Sequence, residues 1–509
     1  MFQKSGNNNT GRYDNVHPSG TNYLRHTVNA MIYSGDQRVV DKLTNAQLFW
    51  KFYNNKHWAQ NNDELLSFNY IRAIVDKVNN FMIGKDGFEV NVVDSFGDEI
   101  APELETAYEM MGNFIFGGED KKSTMQDVLQ MGSITGDAYV FLEVVATKIK
   151  VRLLDTRMVV PKFRKGDSAD VESYRVVKQL GTNDQKYIQK ISEYSKENVT
   201  TYYLKETGED AQKFEFTSET NTFGEIPIVH IRNLPKSDAY GGRADIEDII
   251  KINKTYNEMA VDYKMIVDYY AEPTTVITGG TVGNLKRGAG NIWSGLPSDS
   301  NVFNLTLNED LGATTNFLQL LKNAMHDLSG VPEEVLSKVQ HISNTSAAAL
   351  QMLYQPIIQV SDNKAVGYGK GFAEIIQMGC KMYAKYKADH PLFVKIKKEI
   401  DKLEGSDYEG DNVKNFFDRY IPRIMFKYNL PNDRLSALNE AAIELSNQLA
   451  SRHEIMERLG KQNIPKIQSE IKEDRQEALD YETKLAEVNK PPVPIAGGNP
   501  PQNAPKAAQ

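Results

Sequence analysis

The most regular hydrophobic pattern in the chain lies between Ile249 and Tyr270. Apolar residues recur there at alternating steps of three and four, which is the spacing of a heptad seam on an α-helix. A seam kept for more than two heptads is typical of a helix with a helical neighbour, so this segment is predicted to pack against other helices. The seam comprises Ile249, Ile252, Tyr256, Met259, Tyr263, Ile266 and Tyr270.

The segment after the seam has strand-like and glycine-rich sequence before a second helix follows. Pro273 is predicted to end the first helix, because proline has no backbone N–H to donate. Thr274–Thr278 and Asn301–Leu307 have strand-like composition, and helical spacing returns over Leu311–Leu328. A helix that leads to a small β head, followed by a helix that returns, predicts a protruding stalk packed against copies of itself. An ordinary helical hairpin inside a globular core remains the alternative.

The rest of the chain mixes helical and strand patterns, which predicts an α+β protein. An amphipathic helix is predicted over 64–82 and several short strands over 88–232, with the polar segment 164–225 as an insertion. A long helix from about Thr345 to Tyr386 contains Pro356, where we expect a kink.

The C-terminal part is predicted to hold one strand and two helices before a tail. The strand covers 420–428, and the helices cover 433–459 and 465–488. The last twenty residues hold six prolines and few bulky apolar residues, which is typical of a disordered tail.

Composition and charge limit the classes of function. The net charge of −9 argues against a protein that clamps nucleic acid through bulk positive charge. The sequence has no signal peptide and no apolar run long enough to span a membrane, so we expect a protein made in a cytoplasm-like compartment with no membrane partner. The single Cys380 excludes an internal disulfide and a cysteine-cluster metal site.

Catalytic motifs are not found. Gly367-Tyr-Gly-Lys-Gly resembles the end of a phosphate-binding loop, but the residue after Lys370 is Gly371, and small residues within a helix more simply allow close packing. No two histidines are four residues apart, and there is no HExxH motif. We therefore expect no enzymatic activity, no metal and no cofactor. A nucleic-acid-processing enzyme with a helical insert remains a less favoured alternative.

Several local motifs accompany this order of elements. They are Tyr70-Ile-Arg-Ala-Ile-Val-Asp, Gly136-Asp-Ala-Tyr-Val, Phe223-Gly-Glu-Ile-Pro-Ile-Val-His-Ile-Arg-Asn, Gly330-Val-Pro-Glu-Glu with Asn344-Thr-Ser-Ala-Ala-Ala-Leu, and Ser451-Arg-His-Glu-Ile-Met-Glu-Arg-Leu-Gly with Glu470-Ile-Lys-Glu-Asp. Together with the order of elements, they resemble the portal proteins of tailed bacteriophages over roughly residues 45–490. Portal proteins form the ring at one capsid vertex through which DNA is packaged and ejected.

The resemblance implies a portal-type subunit with an α/β wing, a two-helix stem, a small α/β clip, a long kinked helix and a helical crown. The implied boundaries are a flexible arm (1–40), the wing (41–237), stem helix 1 (238–271), the clip (272–310), stem helix 2 (311–329), a tunnel loop (330–344), the long kinked helix with a wing strand (345–432), the crown helices (433–489) and the disordered tail (490–509).

The resemblance also implies roles for individual residues. The heptad seam would form the interface between subunits, and the clip would dock a head–tail adaptor. The residues expected to line the DNA channel are Lys338, Gln340, His341 and Asn344 in the tunnel loop and Lys251, Lys254, Lys264 and Lys322 on the stem. The residues expected to dock the adaptor are Lys286, Arg287 and Trp293.

The expected partners follow from the same resemblance. They are eleven further copies in a twelve-subunit ring, double-stranded DNA bound without sequence specificity, a terminase motor, a head–tail adaptor, and the major capsid and scaffolding proteins. The expected location is the portal vertex of the virion, after assembly in the host cytoplasm. A head–tail connector or minor capsid protein without a closed channel is the second interpretation.

Overall fold

The computed structural model describes most of the chain and divides it into two compact units, 1–430 and 431–509. The described residues are 36–57, 66–84, 88–93, 102–117, 121–145, 148–164, 170–179, 189–204, 214–236, 240–271, 275–279, 296–304, 311–336, 347–404, 417–429, 434–458 and short stretches between 467 and 481. The expected tail therefore lies outside them, as do residues 1–35 of the expected arm.

The protein is α+β, as its sequence pattern predicts. The helices of the first unit are α1 (Gln37–Tyr53), α2 (Tyr70–Met82), α3 (Pro102–Ile115), α4 (Lys121–Thr135), α5 (Ile250–Ala271), α6 (Leu311–Ser329), the short α7 (Glu333–Leu336), α8 (Ala347–Tyr386) and α9 (Pro391–Glu404). Helix α1 begins within the segment expected to be an arm, and Val39 and Val40 are buried. Helix α8 continues through Pro356, and the kink stays a prediction.

Twelve strands form four antiparallel sheets among the described residues. The strands are β1 (Phe88–Val93), β2 (Asp137–Val145), β3 (Lys148–Leu154), β4 (Val159–Phe163), β5 (Val171–Gln179), β6 (Gln189–Ser195), β7 (Asn198–Leu204), β8 (Phe214–Thr220), β9 (Ile228–Arg232), β10 (Thr275–Thr278), β11 (Asn301–Asn304) and β12 (Ile421–Phe426). The sheets have the orders β3-β2-β9, β4-β5-β6-β7-β8, β1-β12 and β10-β11.

The polar segment 164–225 is an integral part of the second sheet rather than an appended loop. It supplies β5 to β8, and each strand pairs along its length with the next. Strand β6 was missed in the sequence because QKISEYS carries only Ile191 as a buried aliphatic residue. The outer strands are solvated, so polar side chains are tolerated at positions that a buried strand would fill with apolar ones.

The main core is built around α8, which packs against β9, β12 and β2. Glycines allow this close approach: a Cβ at Gly367 would overlap the carbonyl oxygen of Arg232, and one at Gly371 would overlap the side chain of Ile231. The interpretation of this glycine run as a packing feature is therefore correct, but its neighbour is strand β9 rather than another helix. Helix α9 was missed in the sequence and packs on α3 and α8 through Phe393 and Ile396.

The second unit contains two described helices where the sequence predicted one helix over 433–459. Helix α10 (Arg434–Ser446) ends before Gln448, whose φ of 56° is in the left-handed region. Helix α11 (Arg452–Arg458) then starts with a capping box. The Glu454 N–H donates to Ser451 Oγ at 3.1 Å, and the Ser451 N–H donates to a Glu454 carboxylate oxygen at 3.3 Å.

Within the first unit, a buried ion pair links helix α1 to strand β2. Lys42 contacts Asp137, whose side chain is fully buried, and His230 Nε2 lies 2.7 Å from Asp137 Oδ1. Burial opposes ionisation of Asp137, but Lys42 and His230 outweigh it and lower the pKa of the carboxyl group. The helix is thereby tied to β2, the central strand of the sheet β3-β2-β9.

His57, four residues beyond the end of helix α1, is expected to make folding stability depend on pH. His57 is buried and stacks on Phe52 with 4.4 Å between ring centroids, and burial lowers its pKa to about 4. The unfolded chain binds a proton near pH 6.5 and the folded chain does not, so the contribution of His57 to stability is present above pH 6.5 and is lost as pH falls toward 4. The loss is about 3 kcal/mol from this shift. Urea unfolding of the wild type and of His57→Leu at pH 7 and pH 4.5 measures it. The variant should show the smaller difference, and equal differences would contradict the assignment.

Candidate functional site: a helix pair with a β head

Helices α5 and α6 pack against each other and flank a two-stranded head. Strand β10 pairs with β11 in antiparallel register, from Thr275 opposite Asn304 to Thr278 opposite Asn301. Thr275 Oγ1 donates to Asn304 Oδ1 at 2.8 Å and closes one end of the head. The sequence therefore predicted the helix, the β insert and the returning helix correctly. Helix α5 begins at Ile250, after turns that cover 245–249.

Two buried asparagines anchor the first half of α5. The Phe68 N–H donates to Asn257 Oδ1 at 2.7 Å, and Asn257 Nδ2 donates to the Phe68 carbonyl oxygen at 3.2 Å. Asn253 Nδ2 donates to the same carbonyl at 3.3 Å. These residues were missed in the sequence analysis, and their spacing of four places both amides on one helix face. Because these two buried amides bind the backbone N–H and carbonyl of Phe68, they fix where the helix starts relative to the core.

Aromatic rings join the bases of both helices. The ring of Tyr256 on α5 lies 5.4 Å from that of Tyr70 and 5.6 Å from that of Phe68, both edge-on. The ring centroid of Tyr70 in turn lies 6.3 Å from that of His326 on α6. Burial, together with a hydrogen bond to Tyr70, raises the pKa of Tyr256 to about 12. The base of the helix pair is therefore a fixed platform.

The predicted seam divides into two parts. Ile249 is fully buried in the core of the chain, and Ile252 and Tyr256 pack against the same cluster. The later seam residues, Met259 to Tyr270, are half-buried. Ile249 is thus engaged within its own chain, whereas the later seam residues are partly accessible to a neighbouring molecule.

The far half of the helix pair exposes large apolar side chains. Met265 on α5 is 59% exposed and Leu320 on α6 is 61% exposed. Both helices are otherwise amphipathic. Strand β11 adds two exposed apolar side chains at the head. The exposed set is Met265, Val267, Phe317 and Leu320 on the helices, Val302 and Phe303 in the head, and Leu328 near the base. A concentration of this kind on one structural feature marks a surface for association.

The lysines predicted on this feature are mostly neutralised within the chain. Lys254 pairs with Glu258 at 3.8 Å, Lys264 with Asp268 at 2.8 Å and Lys322 with Glu333 at 2.6 Å. Lys251 is exposed and makes no ion pair with the described residues. The helix pair therefore presents mixed charge with little excess of positive charge.

The remaining predicted site residues lie outside the described residues. They are Lys338, Gln340, His341 and Asn344, within 337–346, and Lys286, Arg287 and Trp293, within 280–295. The residues just before the first segment are ordered in the core: α7 follows Pro332, and Val335 is buried with Ile249 and Met325. The described chain up to Leu336 therefore lies next to the base of the helix pair.

A buried polar network connects α8 to the chain segment that leads into α5. Lys364 is fully buried, and its Nζ donates to Asp245 Oδ2 and to Ser133 Oγ, each at 2.6 Å. Ser133 Oγ donates to Asn79 Oδ1 at 2.9 Å. Four elements or segments therefore meet at one ammonium group. In the sequence, Asp245 resembles an ordinary acidic residue at the start of a helix, and nothing indicates its contact with Lys364, which is 119 residues away.

Searches for other chemistry were negative over the part of the chain that the structure describes. No group of three or more histidine, cysteine, aspartate or glutamate side chains is arranged to hold a metal ion. Within the same residues, none of the helices combines the length and apolar character that a membrane crossing requires.

Comparisons with known proteins identify one family. The family model described as "Phage portal protein, SPP1 Gp6-like" matches residues 22–480. A chain of the virion of a native gene transfer agent (GTA) particle is 11% identical, with a TM-score of 0.39, over 78% of this chain and 99% of that one. That structural similarity is too low to add to the family match. No curated protein matches the chain.

Proposed function

The chain belongs to the phage portal protein family, and from this premise we propose that it forms a ring-shaped channel for DNA at one vertex of the capsid. The family is structural and non-enzymatic, and its members are oligomeric components of the virion. In the proposed function, genomic DNA is packaged and ejected through the ring, while the energy comes from a separate terminase motor.

The proposal of a ring rests on the exposed apolar side chains of the helix pair. Helices α5 and α6 leave Met265, Phe317 and Leu320 exposed in one chain. A heterologous interface between identical subunits covers such faces on both sides of every copy. It closes into a ring when the rotation that relates neighbouring subunits divides a full turn evenly. In this proposal α5 and α6 are the stem, and twelve copies form the ring.

The charge of the stem suits a channel that lets DNA slide. Lys254, Lys264 and Lys322 each have a carboxylate partner, so contacts with phosphate would be weak and transient. Affinity for DNA rises with every phosphate that is neutralised, so a channel with many free lysines would retain the DNA instead. The tunnel loop, with Lys338, Gln340, His341 and Asn344, is proposed to make the closest approach to it.

The proposal of a portal ring also gives roles to the other parts of the chain. The wing (41–237 and 345–432) and the crown (433–489) would contact the major capsid and scaffolding proteins. The clip (272–310), with Lys286, Arg287 and Trp293, would dock the head–tail adaptor. Assembly would take place in the host cytoplasm before the ring is enclosed in the virion.

The DNA channel is tested by changing the proposed tunnel loop without altering the fold. Replacing Lys338, Gln340 and His341 together by alanine is expected to leave head assembly normal and to lower the yield of DNA-filled heads several-fold. The yield is measured on a density gradient after assembly with the cognate head proteins and motor. The control replaces Lys122, Lys196 and Glu219, which are exposed on the wing. A normal yield of filled heads from the loop variant would contradict the channel role of the loop.

A further inference from the structure

Six exposed or half-exposed lysines lie on neighbouring parts of the first unit, whose buried residues share one core cluster. They lie at the end of α8, on α9 and on the strand β3. None of them makes an ion pair with the described residues, and all are exposed or half-exposed. This group, called the α9 basic face here, comprises Lys148, Lys150, Lys385, Lys387, Lys395 and Lys398.

Helix α9 turns its lysines away from the core. Phe393 and Ile396 are each 2% exposed and pack inward. Lys395 and Lys398 are three residues apart and lie on the opposite side of the helix, followed by Lys402 one turn later. Lys402 pairs with Glu399 at 2.8 Å, so the free charges are concentrated in the first three turns.

Strand β3 brings two more lysines to the same place. The Ile149 N–H donates to Tyr383 Oη at 3.1 Å, which joins the strand to the end of α8. Lys148 and Lys150 flank Ile149, and strand periodicity points both outward while Ile149 is buried. Lys385 and Lys387 follow Tyr383 directly on the other side of this contact.

The scaffold under these lysines is rigid. The ring of His390 lies 5.1 Å from that of Tyr383 and 5.0 Å from that of Phe114. The His390 N–H donates to the Lys387 carbonyl oxygen at 3.0 Å, so the turn between α8 and α9 is closed by its own backbone. The positions of the lysine backbones are therefore fixed before any ligand binds.

The local charge is opposite to the charge of the whole chain. Among the described carboxylates of the surrounding elements that form no ion pair, Asp389 and Asp401 lie on the lysine-bearing segment, and Glu105 and Glu109 lie on α3, which packs against α9. The six lysines outnumber these four acids, and Glu399 pairs with Lys402. In contrast, three of the four stem lysines considered for the channel are already neutralised. A positive face on a chain with net charge −9 concentrates the attraction for a polyanion at one place.

We propose that the α9 basic face binds the phosphate backbone of double-stranded DNA outside the channel. The inference builds on the proposed function only in that it takes DNA as the polyanion present in the particle. The face has few of the anchors that recognise acidic peptides: Arg152 beside it is tied to Glu143, and its exposed large aliphatic residues, Val144 and Val394, are each less than 40% exposed. Spaced ammonium groups suit sequence-independent contact with phosphates.

The test uses the full-length protein and a relaxed covalently closed circular DNA, which cannot thread through a ring. Binding is measured at several salt concentrations for the wild type and for a variant with Lys148→Gln, Lys150→Gln, Lys395→Gln and Lys398→Gln. The control variant removes four exposed lysines elsewhere, with Lys56→Gln, Lys122→Gln, Lys178→Gln and Lys196→Gln. Both variants lose the same charge, and their thermal melting is compared first to establish that both are folded.

The expected result is a loss of affinity of about tenfold or more for the face variant, with a salt slope smaller by about two to four, and little change for the control. Equal losses for both variants, or no loss for the face variant, would overturn the proposal. Polyglutamate is the competing probe: if it binds to the face at moderate salt and the circular DNA does not, the partner is an acidic protein instead. Because the circular DNA reports outer binding whether or not rings form, this result is independent of the ring itself.

Discussion

Replacing Lys364 by methionine is expected to lower the free energy of unfolding of the first unit by about 3–5 kcal/mol. The substitution leaves the Asp245 carboxylate, with its side chain 9% exposed, without its cation. It also removes the donor for Ser133 Oγ and leaves Asn79 with one fewer contact. Unfolding in urea, followed by the intrinsic fluorescence of the tryptophans, measures the loss.

Two matched variants distinguish the stability lost by leaving a buried charge unpaired from the stability lost with the lysine side chain itself. Lys370→Met, two turns further along α8 and exposed, should be nearly neutral. Adding Asp245→Leu to Lys364→Met should restore at least half of the stability, because no buried charge is then left alone. A single variant Lys364→Met as stable as the wild type would show that the ammonium group does not hold these segments together.

A proline in the middle of the stem is expected to abolish ring assembly. Met259→Pro removes a backbone hydrogen bond in the interior of α5, and its ring clashes with the preceding turn, at a cost of about 3 kcal/mol. The disturbed turn contains Tyr256 and Asn257, whereas Asn253 lies before it and keeps its contact with Phe68, so the start of α5 should stay folded while the far half loses its direction.

The assembly state of this variant is measured by native mass determination and electron microscopy. Met259→Leu, which keeps an apolar side chain of similar volume on a helical backbone, is the matched control and should form rings. Circular dichroism establishes that the proline variant is folded apart from the local break. Normal rings from Met259→Pro would mean that α5 is not part of the subunit interface.

The parts of the fold that sequence predicted well are those where periodicity is local. The seam from Ile249 to Tyr270 predicts α5, and the glycine-rich insert predicts the β head between two helices. Strand β6 was missed because it has one buried aliphatic residue and polar alternation on both sides. Helix α9 was missed although Phe393 and Ile396 have helical spacing, since its many lysines mask a narrow apolar stripe.

The parts that sequence could not predict depend on contacts between distant segments. Asp245 reads as a helix-start acid until the fold places it 2.6 Å from the Nζ atom of Lys364. Asn257 reads as an ordinary polar helix residue until Phe68 is brought against it. The seam predicts a helical partner but cannot say whether that partner lies in the same chain, and Ile249 has its partners within the chain itself.

Electron microscopy of the purified full-length protein tests the central proposal most directly, with class averages viewed down the particle axis. We expect closed rings with a central channel, whose subunit number can be counted and compared with twelve. Monomers or irregular oligomers across a range of salt and protein concentrations would contradict a self-assembling channel. That outcome would favour a connector or capsid component of the virion that assembles only with partners.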